Sequence, residues 1–94
     1  MKITIMLAKV LARFTDNNKE FDFELDDKNN LLSLVDSLDR KFPGLKEVLC
    51  GTEHEMVDGI NIYVNGDNVR YLEGLKTTLK NGDQINIIPA AAAG

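Results

Sequence analysis

Residues 20–42, EFDFELDDKNNLLSLVDSLDRKF, contain a change of hydrophobic period that determines the expected fold. In 20–25 apolar residues alternate with acidic ones, which is the pattern of a β-strand with one buried face. In 31–42 they recur at helical spacing, and the residues between them are mostly polar. This second pattern predicts an amphipathic helix. The stretch therefore predicts a strand followed by a helix, each with an apolar face to bury.

The ends of this helix have their own signals. Asn29 or Asn30 can cap its start, and Pro43 with Gly44 ends it. Residues 45–49 predict a further short helical turn. Alternation elsewhere predicts four more strands, at 2–8, 60–65, 68–71 and 84–88.

The resulting order, β-β-α-β-β-β, predicts an α+β fold in which a mixed sheet of four to five strands packs on one main helix. This is the order of the ubiquitin-like β-grasp roll. The predicted inward-facing residues are Ile3, Ile5, Leu7, Phe21, Phe23, Leu25, Leu31, Leu34, Val35, Leu38, Ile60, Ile62, Val64, Leu75, Leu79, Ile85 and Ile87.

Length and charge exclude several classes of protein. With 94 residues the chain has room for one domain, 1–94, and one core. The formal net charge of −4 offers no basic surface for nucleic acid or anionic lipid. The apolar run after Met1 is too short for a signal peptide, and no run approaches the ~20 residues of a membrane span. A single cysteine excludes an internal disulfide, so we expect a cytoplasmic protein.

Catalytic equipment is sparse. Cys50 and His54 would share one face of a helix, but the sequence between them favours a polar loop, so a solvated histidine and an incidental thiol are expected. Glu53, His54, Glu55 and Asp58 could gather a cation, but a solvated acidic loop is the simpler interpretation. No glycine-rich phosphate-binding motif is present. We therefore expect no catalytic residue and no metal site, and no enzyme activity from this chain alone.

The C-terminal tail is the unusual segment. Pro89 should close the last strand, because it has no N–H for a ladder. Ala90, Ala91, Ala92, Ala93 and Gly94 follow, and none has a side chain larger than a methyl group. Fully extended, 89–94 would reach about 20 Å. We expect a flexible, thin segment suited to a narrow pocket in another protein, with a frayed terminus as the alternative.

The sheet face away from the helix is a second candidate for interaction. One helix covers only one side of a sheet, so the other side should expose an apolar patch, and such patches often bind partners. Scattered exposed apolar residues without function are the alternative. The predicted patch comprises Met6, Tyr63 and Ile88, and its predicted rim comprises Thr4, Asn61 and Gln84.

The C-terminal third resembles a known family. Its motifs are Asn61-Ile62-Tyr63-Val64-Asn65-Gly66, Val69-Arg70-Tyr71, Gly74-Leu75, Leu79, Gly82-Asp83 and Ile87-Ile88-Pro89, followed by a small-residue tail that ends in Gly94. In these motifs the chain resembles the MoaD/ThiS family of ubiquitin-like sulfur carriers, and in particular the members of the cysteine pathway. The order of elements matches over the whole chain, and the specific motifs begin at about Ile60.

The resemblance implies a function. A ubiquitin-activating-type adenylyltransferase, using ATP and magnesium, would adenylate the Gly94 carboxylate, and a sulfur donor would convert it into a thiocarboxylate. The sulfur would pass to a cysteine-synthase-like enzyme, the large subunit of molybdopterin synthase or thiazole synthase. Pro89, Ala90, Ala91, Ala92 and Ala93 would then thread the partner's channel, and Met6, Tyr63 and Ile88 would dock.

One departure from the family pattern concerns the penultimate residue, which is Ala93 where the family usually has glycine. A partner that tolerates alanine, a longer natural chain that is trimmed, or a relative that no longer carries sulfur would each account for it. Two other functions stay open: a protein modifier conjugated through Gly94, and a non-covalent interaction module whose tail is inert.

Overall fold

The computed structural model describes residues 1–26, 29–50 and 59–89. These residues form a five-stranded sheet with the order β2-β1-β5-β3-β4. The strands are β1 (Lys2–Leu7), β2 (Glu20–Glu24), β3 (Ile60–Val64), β4 (Asp67–Asn68) and β5 (Gln84–Pro89). β1 and β5 are parallel, and the other neighbouring pairs are antiparallel. The predicted mixed sheet is therefore confirmed, and its last strand in sequence lies at its centre.

The main helix, α1 (Leu31–Lys41), covers one face of this sheet. Asn30 caps it, because its side-chain oxygen accepts a hydrogen bond of 3.0 Å from the N–H of Ser33. The predicted inward-facing residues of this helix, Leu31, Leu34, Val35 and Leu38, are buried, and Phe42 at its end is partly buried. The predicted short turn is also present, as a second helix, α2 (Leu45–Cys50).

The core agrees with most of the predicted inward-facing set, but Phe21, Phe23 and Leu75 are only partly buried. The two phenylalanines lie on β2, an edge strand, and therefore have neighbours on one side only. Phe21 packs edge-on against Phe42, with ring centroids 5.6 Å apart. The sequence analysis missed six buried hydrophobic residues: Leu11, Ala12, Leu45, Leu49, Cys50 and Val69.

The connection between β1 and β2 is largely helical, although the sequence analysis assigned it no element. Residues Lys9–Thr15 form a 3₁₀ helix, and it places Leu11 and Ala12 in the core. Thr15 is also buried, and its hydroxyl donates to the carbonyl of Asn18 at 2.7 Å. A 3₁₀ helix of only about two turns has too few residues to show a hydrophobic period, which is why the pattern did not reveal it.

The predicted strand at 68–71 is wrong. β4 has only two residues, and a 3₁₀ helix follows at Val69–Tyr71. Asn68 caps this helix, because its side-chain oxygen accepts from the N–H of Arg70 at 2.9 Å. Val69, the first residue of this helix, is fully buried. The local cap and the burial of one valine together end the strand early.

Two turns are joined by a polar clasp, which we define as Asn65, Lys80, Asp83 and Gln84. The buried carboxylate of Asp83 accepts from the Asn65 side-chain amide at 2.9 Å and from the Lys80 backbone N–H at 2.8 Å. The Asn65 side-chain oxygen accepts from the backbone N–H of Gln84 at 2.9 Å. The clasp therefore ties the turn after β3 to the turn before β5.

We expect Asp83→Ala to lower the free energy of unfolding by about 1–3 kcal/mol, because two donors lose their acceptor in a partly buried site. Urea denaturation would measure this loss of stability, and the dependence of the unfolding free energy on urea concentration should stay unchanged. Asp67→Ala, at an exposed position of the neighbouring strand β4, is the matched control and should cost under about 0.5 kcal/mol. Equal stability of the two variants would show that the clasp contributes nothing.

Within the three described ranges, no helix has the length and apolar character needed to cross a membrane.

Candidate functional site

The root of the C-terminal tail lies at one end of the sheet. Pro89 is the last residue of β5 and pairs with Ile60 at the start of β3. The predicted last strand is confirmed, and it includes Pro89. Because β5 lies between β1 and β3, the tail begins at the end of the central strand of the sheet. The tail residues Ala90, Ala91, Ala92, Ala93 and Gly94 lie outside the described residues, so their expected roles stay predictions.

The strand register brings Met6, Tyr63 and Ile88 to the sheet face opposite α1, and we call these three residues the open-face patch. Met6 and Tyr63 both pair with Asn86, one from each side of β5. Ile88 pairs with Asn61. All three patch side chains are half-buried. The open-face patch therefore starts one residue before the tail root.

Asn86 lies at the centre of this patch and was missing from the predicted rim. Its presence on the open face follows from the same alternation that places Gln84 and Ile88 there, whereas its central position depends on the strand pairing. Thr4, Asn61 and Gln84 do lie on that face, with Thr4 paired to Gln84. An amide between Met6 and Tyr63 gives the apolar surface a hydrogen-bonding group.

An acidic margin runs along the β2 side of the open face. Glu20 pairs with Met6, and Asp22 pairs with Thr4. The hydrogen bond from the Thr4 hydroxyl, 3.0 Å long, and the contact with the Lys2 ammonium at 3.3 Å lower the pKa of the Asp22 carboxyl. Asp22 therefore stays ionised at neutral pH. A basic surface on a partner would complement this margin.

Cys50 ends α2 with only 2% of its surface exposed. Burial raises the pKa of its thiol, and the nearby Lys46 ammonium opposes this to a smaller extent. His54, which was expected to be a solvated loop histidine, and the acidic residues Glu53, Glu55 and Asp58 lie outside the described residues. Within the described part of the chain, no three His, Cys, Asp or Glu side chains gather as metal ligands.

We expect Cys50 to resist alkylation in the native protein, because the thiolate is the reactive form and both burial and the raised pKa suppress it. Iodoacetamide at pH 8 should label the thiol at least about a hundredfold more slowly in the folded chain than in urea, as read by intact mass. Equal rates in both states would contradict a buried thiol. Lys46→Ala, which removes the opposing positive charge, should slow native labelling further.

Comparisons with known proteins bear on this arrangement. The model of the ThiS family matches residues 8–94. Sulfur carrier protein CysO of Mycobacterium tuberculosis is 31% identical over 99 aligned positions that cover the whole of both chains. A chain in the crystal structure of the Amycolatopsis orientalis BexX/CysO complex superposes with a TM-score of 0.84 at 30% identity, covering 98% of this chain and 99% of that one.

A third relative is named as a protein modifier. The small archaeal modifier protein 1 of Methanosarcina acetivorans has a solution structure that superposes with a TM-score of 0.80 at 30% identity, covering 99% of this chain and 96% of that one. The structural matches confirm the predicted ubiquitin-like β-grasp fold. Together with the family match over residues 8–94, they show that the chain belongs to the ThiS family of ubiquitin-like sulfur carrier proteins.

Proposed function

We propose that this chain carries sulfur as a thiocarboxylate on its C-terminal residue, Gly94. The main support is the position of the tail root: a segment of small residues begins at Pro89, at the end of the central strand β5 and next to the open-face patch. A protein bound to that patch would have the tail within reach of its own active site. Family membership supports the general role of sulfur carrier.

The chemistry accounts for the residue types in the tail. A carboxylate is a poor electrophile, so the Gly94 carboxylate first attacks the α-phosphorus of ATP, which releases pyrophosphate and leaves an acyl adenylate. A sulfur donor then attacks the acyl carbon, and AMP leaves. Glycine has no Cβ to obstruct this carbonyl, and the alanines before it keep the segment thin. ATP and magnesium would be bound by the adenylating enzyme, and this chain would act as its substrate.

The open-face patch would supply much of the binding energy. Met6, Tyr63 and Ile88 present apolar surface, and burial of such surface contributes about 25 cal/mol per Å². Asn86 within the patch and Asp22 at its acidic margin would orient the partner through hydrogen bonds and charge. The sulfur would then pass to a biosynthetic enzyme of the cysteine-synthase, molybdopterin-synthase or thiazole-synthase type.

Mass spectrometry tests the proposal directly. The chain is incubated with the adenylating enzyme of its own organism, ATP, magnesium and sulfide. We expect the intact mass to rise by about 16 Da, the difference between sulfur and oxygen, with the change on Gly94. Omitting ATP should abolish the product. No mass change with any adenylating enzyme of that organism would overturn the proposal.

A second candidate function is protein modification, which the similarity to a small archaeal modifier protein favours. The same activated Gly94 would then form an isopeptide bond with a lysine of another protein. Tryptic peptides from cell extract distinguish the two functions. Branched peptides that carry the C-terminal residues on lysine would support modification, and a thiocarboxylate without such branches would support sulfur transfer alone.

A further inference from the structure

Three large apolar side chains are exposed among the described residues, and none belongs to the open-face patch. Val10 is 53% exposed, Tyr71 is 88% exposed and Leu72 is 46% exposed. A single exposed apolar side chain is ordinary and needs no explanation. The location of these three relative to the tail root is what makes them informative.

Val10 lies beside the end of β5. Leu7, the last residue of β1, pairs with Ile87, and the next N–H, that of Ala8, donates to the Ile87 carbonyl at 3.1 Å. The 3₁₀ helix that begins at Lys9 follows directly. Val10 is the second residue of this helix, so it lies on the β1 side of the tail root.

Tyr71 and Leu72 directly follow Arg70, whose side chain contacts the other side of the same sheet end. The guanidinium of Arg70, the residue before Tyr71, donates to the carbonyl of Ile60 at 2.8 Å. Ile60 is the residue that pairs with Pro89. The arginine therefore fixes the 3₁₀ helix Val69–Tyr71 against the start of β3, close to the tail root.

The sheet order places these apolar positions after strands on opposite sides of β5. Val10 follows β1, one strand from β5, whereas Tyr71 and Leu72 follow β4, two strands from β5 on the other side. The five residues after Pro89 span at most about 17 Å when fully extended. A protein that takes Gly94 into a pocket must therefore bring the mouth of that pocket close to this end of the sheet.

We infer that Val10, Tyr71 and Leu72 form an exit rim that seats against an apolar mouth of the adenylating enzyme's tail-binding pocket. This inference rests on the proposed function. A tail of methyl groups buries little surface and is costly to order, so it contributes little affinity of its own. Contact on both sides of the root would fix the direction in which the tail enters. The exit rim thus acts in addition to the open-face patch, at the end of the sheet rather than on its face.

Steady-state kinetics of pyrophosphate release, with this chain as the varied substrate, test the exit rim. We expect the double variant Val10→Ser/Tyr71→Ser to raise the KM for the chain about tenfold or more, because truncated central contacts commonly cost over 1 kcal/mol of binding. The kcat should change less than about twofold, since the reacting carboxylate is untouched. Asp67→Ser, at the far end of β4, is the control and should leave both constants unchanged.

The outcomes separate this inference from the proposed function. If the wild-type chain is adenylated and the double variant has an unchanged KM, the exit rim is wrong and the proposed function stands. If the adenylating enzyme releases no pyrophosphate with the wild-type chain, the proposed function is wrong, and the inference that rests on it is wrong too. NMR spectra of the chain with and without residues 90–94 provide a second test. Unchanged Val10 and Tyr71 signals are expected, and a shift would show that the chain's own tail covers the rim and would overturn the inference.

Discussion

Deleting Gly94 is expected to reduce formation of the C-terminal thiocarboxylate by at least about a hundredfold. The remaining carboxylate, on Ala93, would stop about 3.5 Å short of the position that the intact tail reaches. A misplacement of only about 1 Å can cost a hundredfold in rate, because the reacting atoms no longer lie in attack geometry. The appearance of the product mass over time, with the adenylating enzyme in excess, measures the effect.

Two further variants separate the reach of the tail from the identity of its last residue. Gly94→Ala keeps the length and adds one methyl group, so we expect a smaller loss than deletion causes. Deleting Ala90 shortens the tail but retains Gly94, so its loss should match that of the Gly94 deletion. All three variants should keep the wild-type melting temperature, because the buried core ends at Ile87. If the Gly94 deletion variant accepted sulfur at the wild-type rate, the hypothesis that the length of the tail positions its terminal carboxylate would be wrong.

The largest expected effect on stability comes from Leu34→Ala. Leu34 is fully buried on the face of α1 that packs on the sheet. Its truncation should lower the free energy of unfolding by about 2–5 kcal/mol, since the lost burial and the cavity both count. That loss is a large share of the 5–15 kcal/mol typical of a whole domain. At about 4–8 °C per kcal/mol, calorimetry should show a fall in Tm of at least about 8 °C.

Leu32→Ala is the matched control for this variant. Leu32 lies on the same helix and is only half-buried, so its truncation removes less buried surface and leaves no closed cavity. We expect a loss of about 1 kcal/mol or less. If the two alanine variants were equally stable, the assignment of Leu34 to the core contact between α1 and the sheet would be wrong.

Elements with a strong hydrophobic period were predicted well. The α1 stripe and the alternating strands β1, β3 and β5 follow from the sequence, because each buries one face against the same core. The elements that the sequence analysis missed are too short to show a hydrophobic period. They are the 3₁₀ helix Lys9–Thr15, of about two turns, and the 3₁₀ helix Val69–Tyr71, of one turn. Capping by Asn68 ended β4 early, and a strand propensity does not reveal such a cap.

The candidate site was predicted in part. The alternation of strand residues was enough to propose Met6, Tyr63 and Ile88 as one surface, since parity alone separates the two faces of a sheet. The sequence did not reveal that Asn86 lies between Met6 and Tyr63, because that depends on which strands are neighbours. It also did not reveal that Val10 and Tyr71 lie on either side of the tail root, 61 positions apart in the chain.

Residue patterns were sufficient to predict the α+β class, the faces that each element buries, and the small-residue tail after Pro89. They did not predict the strand order, which inserts β5 between β1 and β3 and so places the tail root at the end of the central strand. Burial patterns are local, whereas strand pairing joins distant parts of the chain. Every half-buried strand can form the same backbone hydrogen bonds with any other, and the choice among partners depends on how the whole set packs over α1.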